Sequence, residues 1–197
     1  MLRRFVSQFL SILHVDGVSG LHTFIMASIL KNGGPKLNLA FAFGRVLVFK
    51  STRFDLGGNV VQGEAYIDIQ HSNGDIPLRI TFRRGQQKIF FNDCAFASLQ
   101  DGWGKEQSAE LGSVYDDRLK YSGVTITVHR PGPNRYQILL GLTTVGYFDS
   151  RFPGISTNIG YTESLKKIVV LSPKLEVFHH RISDLQPEER QAIESGR

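Results

Sequence analysis

An antiparallel β-sandwich or barrel is the fold class this sequence predicts, on three observations. Apolar and polar residues alternate with period two in run after run along the 197-residue chain. Asn, Asp, Gly and Pro clusters separate those runs. Nothing between them is long enough to be the helix of a βαβ crossover, which argues against a parallel α/β sheet.

The alternating runs are residues 45–50, 65–70, 76–83, 88–92, 124–129, 135–140, 167–171 and 175–179. Turn chemistry stands at 32–35, 56–59, 72–75, 84–85 and 131–134, with the Asn-Gly, Gly-Gly, Arg-Gly and Pro-Gly pairs that break strands. Many short strands with such punctuation describe a sandwich or barrel.

The two ends depart from this pattern. Leu2, Phe5, Val6, Phe9, Leu10 and Leu13 fall at three- and four-residue spacing, as on one face of an amphipathic helix. Arg3 and Arg4 precede them and no acid appears before Asp16, so a signal or transit peptide and a membrane-surface anchor are alternatives. Ser7, Gln8 and Ser11 interrupt the apolar run, and no small-x-small cleavage site follows it; both features favour a docked helix. At the other end, Ser183 or Asp184 can cap a helix over 186–194, with Pro187 in its first turn and Glu188 and Glu189 near its positive end. The predicted organisation is an extension over 1–25, one domain over 26–181 and a tail over 182–197.

Composition narrows the function classes. Hydrophobic residues make up 41% of the chain and charged residues 21%, as in an ordinary globular protein. The net charge of +5 is spread rather than clustered, so no nucleic-acid footprint is advertised. Cys94 is the only cysteine, which excludes an intramolecular disulfide and a CxxC zinc site. No apolar stretch approaches the ~20 residues of a membrane span.

The chemistry concentrates on two neighbouring strands and a loop. In 76–83, Ile76, Leu78, Ile80 and Phe82 point to the core, so Arg79, Thr81 and Arg83 share the other face. A four-residue hairpin loop over 84–87 pairs Arg83 with Lys88, which sets Phe90 across from Thr81 and Asn92 across from Arg79. The loop beyond leads to Trp103, the only tryptophan, between Gly102 and Gly104, and then to Glu106. These residue types suit a pyranose. An indole offers a platform for its C–H face, and arginine, asparagine and glutamate offer fixed donors and acceptors for its hydroxyls. An Arg83–Glu106 ion pair would hold both side chains in place. Taken singly, each residue is more often a surface ion pair or a buried tryptophan; the specificity lies in their convergence.

This constellation resembles the galectin family, and more closely its fungal fruiting-body branch. The family pattern is H-x-N-x-R, then V-x-N, then W-G-x-E-x-R. The matching stretches are 79–83 (RITFR), 90–92 (FFN) and 103–108 (WGKEQS), within a similarity that spans residues 26–180. The resemblance implies a jelly-roll sandwich of two antiparallel sheets, no cofactor, no catalysis and β-galactoside-type glycans as partners. It further implies a cytoplasmic location or non-classical secretion. Carried over by position, Trp103 would stack on the sugar, and Arg83, Asn92 and Glu106 would bond its hydroxyls. Arg79 stands where the family has histidine, Thr81 where it has asparagine, and Ser108 where it has its last arginine, and the loop before Trp103 is enlarged. Arg79 brings only donors and a permanent charge, so it would either reach an anionic substituent or block the galactose position.

Two other classes compete. A glycan hydrolase needs two carboxylates flanking the bond; Asp116-Asp117 reads as a solvated turn, and Asp93 and Asp101 are the acids that could approach Glu106. His179-His180 reads as a strand end. No nucleophile-elbow, zinc-helix or phosphate-loop motif is present. The second rival is a galectin-fold interaction module without sugar binding, with the amphipathic N-terminus and the tail as its surfaces. Multivalent binding would need a homo-oligomer, since the chain offers one site.

Overall fold

In the computed structural model, residues 36–54, 65–83, 85–96, 102–114, 123–161, 169–171 and 177–196 are described. The amphipathic segment over 1–25, the turns at 32–35 and 56–59, Arg84, Asp101 and Asp116-Asp117 lie outside them.

Among the described residues twelve strands form in chain order: β1 (Lys36–Phe41), β2 (Arg45–Phe54), β3 (Ala65–Gln70), β4 (Ile76–Arg83), β5 (Lys88–Cys94), β6 (Gln107–Glu110), β7 (Thr125–His129), β8 (Arg135–Leu140), β9 (Thr143–Asp149), β10 (Ser156–Tyr161), β11 (Val169–Leu171) and β12 (Val177–Arg181). One helix follows, α1 (Pro187–Ser195). One antiparallel sheet runs β1-β10-β3-β4-β5-β6, and the other β11-β2-β7-β8-β9. β12 also pairs with β2, along its first half.

The alternation seen in the sequence builds the core directly. Ile67, Ile69, Leu78, Ile80, Phe82, Ile89 and Phe91 face inward from the first sheet. Leu47, Phe49, Ile126, Val128, Tyr136, Ile138, Leu140 and Phe148 meet them from the second. The hairpin arithmetic holds: Arg83 pairs with Lys88, Thr81 with Phe90 and Arg79 with Asn92. Gly85, at φ 82°, supplies the left-handed residue that the short turn needs.

Val46, Val48 and Leu139 point to the outer face of the second sheet, where Leu185, Ala192 and Ile193 cover them. The tail is therefore packed onto the sandwich by α1. Its cap is Gln186 rather than Ser183 or Asp184; the Gln186 backbone N–H donates to Glu189 while Pro187 opens the helix. Asp184 instead closes the preceding 3-10 turn by accepting from the Arg181 backbone N–H. Among the described residues no helix is long and apolar enough to cross a membrane.

Candidate functional site

The site lies on the outer face of the first sheet, opposite the face that carries α1. Strand pairing arranges it in rows. Asp68, Arg79 and Asn92 form one row across β3, β4 and β5. Tyr66, Thr81, Phe90 and Ser108 form the next, which reaches β6.

Arg79 is the most constrained member. Its Nε and Nη2 each donate to a different oxygen of Asp68, both at 2.7 Å. Its guanidinium carbon lies 3.7 Å from the centre of the Tyr66 ring and 4.4 Å from that of Trp103. The cation is thus fixed by a carboxylate and shared between two rings. Burial pushes the Asp68 carboxyl up, against the pull of Arg79. Burial also works against the Arg79 charge, but the bonds to Asp68 outweigh it and hold its pKa above the ordinary value.

Arg83 and Glu106 form the expected pair. Nη1 donates to Oε1 at 2.9 Å and Nη2 to Oε2 at 2.6 Å, with the guanidinium carbon 3.9 Å from the centre of the Phe90 ring. Asn92 turns its Oδ1 to the Asp93 backbone N–H at 2.8 Å. Ser108 sits exposed on β6 across from Phe90, and Glu106 pairs with Arg83 without needing a cation there.

Thr81 differs from expectation. It shares the face with Arg79 and Arg83 but is only 4% exposed. It lies between Tyr66 and Phe90 in its row, and each of those rings carries a guanidinium above it. At that burial the Thr81 side chain is largely out of reach of bulk water.

Trp103 is half-buried and bridges Cys94 through the backbone. Flanking bonds fix the bridge: Ala95 N–H donates to Gly102 O at 3.1 Å, and Gly104 N–H to Asp93 O at 2.9 Å. Below it lies a clamp. Arg151 Nε donates to Asp93 Oδ1 and its backbone N–H to Oδ2, both at 2.8 Å, while Nη2 donates to Gly102 O at 2.8 Å. Ser150 Oγ donates to the same carboxylate at 3.4 Å. The hydrogen bond to Asp93 raises the Arg151 pKa. A Cβ at Gly104 would strike Asp93 Oδ1, so only glycine fits against the clamp. The Asp93 carboxylate is thereby occupied by Arg151 and Ser150. Among the described residues no group of three or more His, Cys, Asp or Glu side chains could hold a metal ion.

The structure therefore brings Arg79, Arg83, Asn92, Trp103 and Glu106 together and places Thr81 beneath them. Sequence reasoning missed Tyr66, Asp68 and Arg151, and read Asp93 only as an acid near Glu106 rather than as the partner of Arg151. The first two were within reach, because Ile67 and Ile69 point inward and leave Tyr66 and Asp68 on the outer face. Asp93 and Arg151 are 58 residues apart, and no spacing rule joins them.

The two antiparallel sheets form a β-sandwich with one polar, aromatic-bearing outer face. The chain is similar to a double variant of human galectin-16, with a TM-score of 0.56 and 16% identity over 78% of this chain and 99% of that one. It is also similar to galectin LEC-6 of Caenorhabditis elegans, with a TM-score of 0.53 and 13% identity over 83% of this chain and 96% of that one. At these identities the likeness shows the fold: a galectin-like jelly roll. No known family profile matches the chain.

Proposed function

We propose that this protein is a galectin-like lectin that binds glycans of β-galactoside or related type and catalyses no reaction. The observation that carries the reading is the bidentate Arg83–Glu106 pair standing on the same face as Trp103 and Asn92. A charge-assisted pair of this geometry presents oriented donor and acceptor edges to vicinal hydroxyls, and the indole provides the apolar surface a sugar ring needs. Arg79 and Thr81 shape the floor and one wall. Titration calorimetry with lactose, alongside a glycan array, tests the reading on wild type and Trp103→Ala. Binding that the substitution abolishes supports it. Failure to bind any glycan, with no difference between the two proteins, refutes it.

One observation favours a second reading, a galectin-fold interaction module without sugar binding. Arg79 already lies over one side of the Trp103 ring. If that side is the platform, a neutral sugar must displace a cation held by Asp68 and Tyr66. An array in which wild type is silent and Arg79→His binds galactosides would select this reading.

A further inference from the structure

Arg130, one residue past β7, is only 1% exposed. Among the described residues its partners are three carbonyls and no carboxylate. Nη1 donates to Phe41 O at 2.7 Å, and Nη2 donates to Pro133 O and Gly154 O. These bonds tie the end of β1 to the β7–β8 and β9–β10 loops at one end of the sandwich. Nε–H is buried and bonds nothing among the described residues. A guanidinium removed from water is ordinarily paired with an acid, because neutral acceptors leave its charge unbalanced.

Three more buried polar atoms without a described partner belong to its neighbours: Tyr136 Oη, Ser156 Oγ and His71 Nε2. Geometry joins each of these residues to Arg130. The guanidinium carbon lies 5.3 Å from the centre of the Tyr136 ring. Ser156 stands opposite Phe41 in the β1–β10 ladder, and Arg130 holds the Phe41 carbonyl. His71 Nε2 is 3.8 Å from where a Cβ on Gly154 would sit, and the Gly154 carbonyl accepts from Arg130. Burial pushes the Tyr136 phenol up, with Arg130 and Ser156 opposing, so it keeps its proton. Burial and then the Arg130 charge hold His71 below the ordinary 6.5, against Asp75, so its imidazole is neutral at pH 7. The cluster is therefore rich in donors: a guanidinium N–H, two hydroxyls and a neutral imidazole.

We propose that this end of the sandwich is a buried anion site, which holds one small monovalent anion of the halide class against Arg130 Nε–H, with the Tyr136 and Ser156 hydroxyls and the His71 imidazole beside it. A water molecule would satisfy the hydroxyls and leave the guanidinium charge unbalanced. An anion accepts from every donor of the set and balances the charge as well. Its size follows from the enclosure. His71 is 9% exposed and the other three side chains 1% or less, so a larger oxyanion would have to part the loops that Arg130 ties. None of the four residues belongs to the face around Trp103, and the inference does not depend on the lectin reading.

The test is urea denaturation at constant ionic strength, with sodium chloride or bromide replacing sodium methanesulfonate, whose anion is too large to be enclosed. An anion that binds only the folded chain should raise the folded-to-unfolded ratio by about tenfold for each tenfold rise in halide above its dissociation constant. Tyr136→Phe and Ser156→Ala each remove one donor with little change of volume. Each should weaken the halide affinity by about tenfold, as loss of a hydrogen bond to a charged group does. Arg130→Met should abolish the response; it also cuts three loop bonds, so the hydroxyl variants decide the matter if it does not fold. A crystal grown in bromide should show anomalous density within hydrogen-bond distance of Arg130 Nε. Equal midpoints in halide and methanesulfonate overturn the proposal, and so does a halide response that both hydroxyl variants keep in full. Water in place of bromide in the crystal overturns it too. Bromide there without a stability response would be an adventitious ion only, with the same consequence.

Discussion

Arg79 and Asp68 face each other across β4 and β3, joined by two parallel 2.7 Å hydrogen bonds, so the cation over Trp103 is anchored from beneath. The side chain at position 79 is therefore a fixture of the site rather than a mobile surface arginine. Replacing it by histidine removes the group over the indole and leaves an imidazole able to bond Asp68. Arg79→His should gain affinity for lactose by about tenfold or more, since displacing a held cation is no longer required. Calorimetry on the two proteins reads this directly; unchanged or weaker lactose binding would show that Arg79 does not obstruct the ring.

Glu106 should behave differently. Its pair with Arg83 is 27% and 39% exposed at the two side chains, where an ion pair contributes only about 0–1 kcal/mol to stability. Glu106→Ala should shift the urea midpoint little, yet remove an oriented acceptor and the brace on Arg83. Glycan affinity should fall by about tenfold or more. A stability loss as large as the binding loss would assign the pair a structural role instead.

The clamp under Trp103 gives a third expectation with a spectroscopic readout. Asp93 accepts from the Arg151 backbone N–H, its Nε and Ser150 Oγ. Asp93→Ala leaves these donors unsatisfied and frees the Gly102–Gly104 backbone. The cost should be about 2 kcal/mol, discounted because Arg151 is half exposed. Trp103 is the only tryptophan, so its emission reports the loop alone. A red shift in the folded variant is expected; an unchanged spectrum would mean that the clamp does not set the ring's position.

The period-two pattern made much of this fold legible. It yielded the inward rows of β3, β4 and β5 and, with a four-residue loop, the register that puts Arg79 across from Asn92. β9 was harder to read because Thr143, Val145, Gly146 and Tyr147 are not cleanly alternating, and β6 is four mostly exposed residues, Gln107–Glu110. Pairing with β8 and β5 defines those strands more than their own sequence does. The site residues on regular strands were readable for the same reason. The clamp was not, because Arg151 comes from the loop after β9 and reaches Asp93 only once both sheets are in place. Nor could alternation show that Arg79 would turn back onto Asp68 rather than out to solvent.

His129 predicts a pH dependence. Gln137 donates through Nε2 to Thr144 Oγ1 at 2.9 Å and to Ile193 O at 3.0 Å, which leaves Oε1 to accept from His129 Nδ1 at 2.9 Å. The imidazole is buried, and burial lowers its pKa from the ordinary 6.5, with Gln137 opposing. The unfolded chain then binds the proton more readily than the folded one. Stability from this group is complete above about 6.5 and falls as the pH drops from there through the lowered folded value. His129→Gln should flatten that part of the stability–pH curve in chemical denaturation between pH 7.5 and 5.5. A curve parallel to wild type would exclude His129 as its source.

The same hydrogen-bond chain ends on α1, and this makes the tail helix part of the folding unit. Ile193 is 5% exposed and packs with Ala192 and Leu185 over Val46, Val48 and Leu139, while its carbonyl receives Gln137 from inside the sheet. A helix of nine residues is too short to persist in water by itself. Its order therefore comes from this apolar contact, and loss of the contact should cost the sandwich as well as the helix. Ile193→Ala should destabilise the protein by about 2 kcal/mol, the lower end for a buried isoleucine because one side of the helix faces solvent. Removing residues 186–197 should cost more, since it also uncovers Val46, Val48 and Leu139 and strands the Gln137 amide. Both are measured by urea denaturation with glycan affinity followed in parallel. Because α1 and the proposed sugar face lie on opposite outer sides of the sandwich, affinity at saturating folded protein should be unchanged in Ile193→Ala. A loss of binding without unfolding would show that the two faces are coupled through the core.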